Sequence, residues 1–147
     1  MKRIAKFFAL SGPDRALVLR TFVPLIAMRV AMWTLPFARV SRISDAMSRP
    51  MRADRSGGRP SPERIAWAVE ALSRVVPRAS NCLVRALATG IVLKRYGYPS
   101  ELKIGVMKPA GGRFEAHAWL ESGGSVVIGD FQLDRYVPLT ARDSAAR

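Results

Sequence analysis

One cysteine and one histidine are all that this chain of 147 residues contains. A single thiol cannot close an intramolecular disulfide, which favours a reducing compartment. One Cys and one His also fall short of the four ligands of a structural zinc site. No metal and no cofactor are therefore expected. Acid is scarce: 11 Asp and Glu stand against 24 Lys and Arg, for a net charge of +13. Long uncharged apolar runs are missing too. The most apolar stretch, from Ala16 to Val40, is interrupted by Arg20, Pro24, Arg29, Pro36 and Arg39. That falls short of the roughly 20 uncharged residues of a spanning helix. Met1 to Lys6 resembles a signal start, but the apolar run from Phe7 to Leu10 is too short and no small-x-small site follows promptly. The expected location is the cytoplasm. No phosphate-binding G-x-x-x-x-G-K-[ST] loop and no internal repeat occur.

The positive charge is uneven. Residues 1–59 hold twelve Lys and Arg against Asp14, Asp45 and Asp54, while residues 60–147 hold twelve against eight acids. Such an excess suits nucleic acid, anionic lipid or an acidic peptide. Arg outnumbers Lys nineteen to five, a bias that GC-rich coding also produces. The aromatic-interleaved basic stretch of a single-strand binder is not evident, so no nucleic-acid partner is expected. A basic, apolar helix near the start is compatible with weak peripheral membrane contact.

Residues 1–10 read as a short amphipathic helix. Ser11-Gly12-Pro13-Asp14 then reads as a capped helix start. Apolar residues continue to Phe37, and Pro24 predicts a kink or break; two helices, or one bent one, fill 14–40. Residues 48–60 are polar, basic and rich in Gly and Pro, as in a linker. The expected organisation is a basic helical extension with its linker, 1–59, and a second domain, 60–147. In the latter, Ser61-Pro62-Glu63 opens a helix that Pro77 ends. Ser80-Asn81 caps the next, with Cys82 in its first turn. This helix is apolar on more than one face, as befits a central element, and Gly97 stops it. Strands follow at 102–106, 114–121 and 125–130, with a turn over 108–112 and a short strand within 131–139. The expected class is α+β: a central helix carrying the cysteine, packed on an antiparallel meander.

The chemistry lies in Cys82, His117 and Asp130. A cysteine in the first turn of a helix meets unpaired N–H groups and the positive end of the macrodipole, which favour thiolate. The bland alternative is a small buried apolar residue. His117 lies in an alternating strand, Phe114-Glu115-Ala116-His117-Ala118-Trp119-Leu120. Ser122-Gly123-Gly124-Ser125 suits a two-residue hairpin turn. Pairing Ser122 with Ser125 and continuing the register sets His117 opposite Asp130, about 5 Å apart at Cβ. The carboxylate would then orient the imidazole. Trp119, two residues on, would wall the site or touch substrate, or else be a plain core aromatic. Asn81 is a helix cap first, and the backbone N–H of Cys82 is the better oxyanion donor.

Asn81-Cys82-Leu83-Val84-Arg85-Ala86-Leu87-Ala88, Tyr96-Gly97-Tyr98-Pro99, Leu102-Lys103-Ile104-Gly105-Val106 and Phe114 to Glu121 resemble the transglutaminase-like cysteine proteases of lasso-peptide biosynthesis, over about residues 61–140. Leu10-Ser11-Gly12-Pro13-Asp14-Arg15 followed by a helix resembles the stand-alone, split form of that protease. The resemblance implies a transglutaminase- or papain-like core and a leader peptidase acting through an acyl-enzyme. It implies Cys82 as nucleophile, His117 as base and then acid, and Asp130 as orienting carboxylate. Its implied partners are the precursor leader peptide, a separate leader-recognition protein and an ATP-dependent cyclase. Two other readings stay open at this level: an acyl transferase sharing the same intermediate, and a non-catalytic basic binding module.

Overall fold

The computed structural model describes residues 9–50, 58–76, 81–108 and 111–139. The short helix expected over 1–10 lies mostly outside them, as do most of the linker, Pro77, Ser80 and part of the 108–112 turn.

Three of the helices start where the sequence places a capping side chain. Ser11 Oγ accepts the Asp14 amide at 3.3 Å and donates to the Asp14 carboxylate at 2.7 Å. Helix α1, Gly12–Thr34, begins there. It runs through Pro24 without interruption. The break falls instead at Leu35, extended at φ −127° and ψ 150°, because a residue preceding proline is disfavoured in helical conformation. Pro36 then opens α2, Phe37–Met47. Ser61 Oγ accepts the Arg64 amide at 3.3 Å at the start of α3, Pro62–Ser73. Helix α4, Cys82–Arg95, is capped by Asn81, whose Oδ1 accepts the Leu83 amide at 2.9 Å. Gly97, at φ +76°, follows its end.

The strands are β1 (Glu101–Met107), β2 (Glu115–Ser122), β3 (Ser125–Ile128) and β4 (Val137–Pro138). The sheet is antiparallel in the order β3-β2-β1-β4. The last strand thus crosses back to pair with β1, with Val106 opposite Val137. A 3₁₀ turn, Leu133–Arg135, makes the crossing.

Helices and sheet share one core. Leu25 and Met28 of α1, Val40 of α2, Ile65 and Val69 of α3, and Val84 and Ile91 of α4 are all buried at 1% exposure or less. They form one cluster with Ala118, Leu120 and Ile128 of the sheet. Helix α4 lies close over β2: a Cβ at Gly90 would sit 3.4 Å from Leu120 Cδ1. The basic N-terminal helices are therefore part of the helix layer. Polar ties reinforce them. Arg64 Nε donates to Asp14 Oδ1 at 2.9 Å, and Arg95 Nε donates to the Met47 carbonyl at 2.6 Å.

Candidate active site

Cys82 opens the central helix, half-buried against the apolar core. Asn81 has its side-chain oxygen committed to capping. That leaves the amide of Cys82 itself as a backbone donor at the helix start.

His117 rises from β2 opposite Gly105 of β1. Its side chain shares a face with Trp119, and the two rings stack with centroids 6.4 Å apart. Tyr136, delivered by the 3₁₀ turn, stands 5.2 Å away on centroids. Gly105 makes this nest possible: a Cβ there would come within 2.8 Å of the Trp119 ring and 2.9 Å of Tyr136 Cβ. Trp119 is buried and donates from Nε1 to Glu121 Oε1 at 2.9 Å. It backs the imidazole as a wall.

The hairpin corrects one expectation. Ser122 does pair with Ser125 across Gly123-Gly124, both at positive φ, as a two-residue turn demands. Between Leu120 and Glu121, however, the register slips, and Leu120 faces Ile128. The strand then ends at Ile128. His117 consequently does not pair with Asp130, and Asp130 is exposed. The bulge inserts one residue into β3, which brings Ile128 into the core beside Leu120.

What reaches the imidazole is the preceding residue's backbone. His117 Nε2 lies 2.7 Å from the carbonyl oxygen of Gly129. A carbonyl only accepts, so Nε2 carries the hydrogen and Nδ1 of the neutral ring keeps the lone pair. The group in contact with the imidazole is thus the Gly129 carbonyl and not the Asp130 carboxylate. Gly129 sits at φ +86°, and a Cβ there would be 2.7 Å from the Ala118 carbonyl oxygen.

Cys82 and His117 lie in packed layers but are not in contact through a hydrogen bond among the described residues. Ala118 and Leu120 turn towards the helices, whereas His117 and Trp119 turn to the face that Tyr136 covers.

A model of the transglutaminase-like superfamily matches residues 22–141. The chain belongs to the transglutaminase-like superfamily. No curated protein and no solved structure matches it. The superfamily match begins inside α1 and takes in both the helix layer and the sheet. Transglutaminase-like proteins in general include cysteine proteases and acyl transferases, so the lone thiol at a helix start belongs to a fold that supports acyl chemistry.

Tyr136, Gly105 and the Gly129 carbonyl were not singled out from sequence as parts of the site. The available signal was a glycine inside an alternating strand, which marks close approach of another group.

Proposed function

We propose that this transglutaminase-like chain is a cytoplasmic cysteine endopeptidase that removes the leader from a ribosomally synthesised lasso-peptide precursor. Its partners are a separate leader-recognition protein and an ATP-dependent cyclase. The observation that supports this most directly is the chain's sole thiol at the first turn of the central helix of a transglutaminase-like fold. The sole imidazole, with Nε2 held by the Gly129 carbonyl and the Nδ1 lone pair left free, is the candidate base.

In the proposed reaction, Nδ1 of His117 takes the Cys82 proton as sulfur attacks the scissile carbonyl. The Cys82 amide faces the developing oxyanion. The imidazolium returns its proton to the leaving amine, giving a thioester. Water, deprotonated by the same nitrogen, then hydrolyses the thioester. This requires Sγ and Nδ1 to approach within hydrogen-bond reach. His117 turns to the sheet face away from the helix layer that carries Cys82, so the proposed reaction needs more than a tightened hydrogen bond: the start of α4 and the imidazole must be brought to one edge of the sheet when substrate binds.

The test combines the full chain with precursor and recognition protein, with mass spectrometry of the products. Free core peptide is expected. Cys82→Ala should abolish it without unfolding the chain, and His117→Ala should lower the rate by about 10²–10⁴. Asp130→Asn should be milder, because a backbone carbonyl holds the ring. Iodoacetamide should label Cys82 faster than it labels a free cysteine, and more slowly in His117→Ala. An amine adduct instead of free core would make the chain an acyl transferase. Labelling no faster than that of a free cysteine, and indifferent to His117, would remove the enzyme reading.

A further inference from the structure

Helix α1 is apolar on two opposite faces. One face, with Leu17, Leu25 and Met28, is buried in the core. The other is largely in solvent, with Ile26 half-buried at its middle. Leu19, Phe22, Val23, Ile26, Val30 and Trp33 follow one another at helical spacing. Leu19 is 60% exposed, Val23 59%, Val30 51% and Trp33 77%. The stripe runs about 21 Å at 1.5 Å per residue, and Phe37, 46% exposed, follows at the start of α2. Isolated exposed apolar residues are ordinary, but a continuous stripe of this length marks a contact surface.

Charge indicates what covers it. Helices α1 and α2 carry Arg15, Arg20, Arg29, Arg39 and Arg42. Their two acids are both engaged, Asp14 with Arg64 and Asp45 with Lys94 at 3.8 Å. With five arginines against two acids, a second copy of the chain would bring the same net positive charge face to face. An anionic lipid headgroup layer supplies the opposite sign, and its acyl boundary accepts a flat apolar stripe edged with arginine.

Against the expectation from its interrupting arginines and prolines, α1 is long and apolar enough by length and composition to cross a membrane. Spanning would strip Leu25 and Met28, both at 0% exposure, out of the core. Lying in the interface plane keeps the fold intact. We propose that the outer face of α1 docks this protein on an anionic bilayer surface, with Trp33 and the aliphatic stripe seated at the headgroup boundary. This does not depend on the peptidase reading.

The test is co-sedimentation of the full chain with vesicles of equal parts phosphatidylglycerol and phosphatidylcholine, and with phosphatidylcholine alone. The wild type should pellet with the anionic vesicles, less so as salt rises. Val23→Glu/Val30→Glu should weaken this at least about tenfold, with unchanged circular dichroism and melting because both positions are exposed. Tryptophan emission should shift to the blue on anionic vesicles, and Trp33→Ser should remove that shift while Trp67 and Trp119 remain. The proposal is overturned if the wild type does not pellet, or if the double variant pellets equally. It is also overturned if the wild type ignores lipid but is a dimer, or holds the recognition protein, in a way the double variant breaks.

Discussion

Gly129 meets two demands at once. Its backbone lies in a region that L side chains avoid, and its α-carbon rests against β2 where a Cβ would be 2.7 Å from the Ala118 carbonyl oxygen. From there its own carbonyl holds the His117 ring. Gly129→Ala should therefore lose about 2 kcal/mol or more in urea unfolding and slow alkylation of Cys82, as the ring loses its anchor. A stability and reactivity unchanged from wild type would mean that the close approach is relieved at no cost. At this scale Cys82 and His117 stand out in the sequence because each is alone of its kind. The group that lies against the imidazole does not. Its assignment to Asp130 depended on an uninterrupted hairpin register, and a slip of one residue changes which group faces which. The Gly-Gly turn is written plainly in the sequence; the bulge that follows it, inside Ser-Val-Val-Ile, leaves no comparable mark.

The secondary-structure elements were most legible at their starts. Ser11, Ser61 and Asn81 cap helices as their side chains predict. Pro24 misled, because a proline can be carried inside a long helix when tertiary packing compensates, and here it is fully buried. Strand β4 fell within the expected span, but its partner was not predictable from order along the chain. The Asp14–Arg64 pair, which joins α1 to α3, gives a pH signature. The Arg64 guanidinium, aided by the Ser11 hydroxyl, holds the Asp14 carboxyl below its usual range. A carboxyl lowered in the folded state stabilises fully above its unfolded value of about 3.9 and stops doing so as pH falls through the lower folded value. The melting temperature of Asp14→Asn should thus lie slightly below wild type above about pH 5, and the gap should close below about pH 4. A gap that persisted in acid would assign the difference to something other than this ion pair.

For the whole molecule, the α+β class followed from helices preceding alternating strands. The place of the basic helices did not, since a Gly- and Pro-rich segment in sequence says nothing about how its flanks pack. Met28, on α1, has no exposed surface. Met28→Ala should cost about 2–5 kcal/mol and shift one cooperative transition seen alike by near-ultraviolet and far-ultraviolet probes. Separate melting of the helices with the sheet signal retained would show two independent units instead. The order in which the chain is made also matters. Tyr136 and the strand after it reach the His117 face only by crossing back to β1. On the ribosome, the surroundings of the imidazole remain unfinished until residues through 138 have left the exit tunnel, so a nascent chain already displaying its thiol-bearing helix still lacks the aromatic cover over its only histidine.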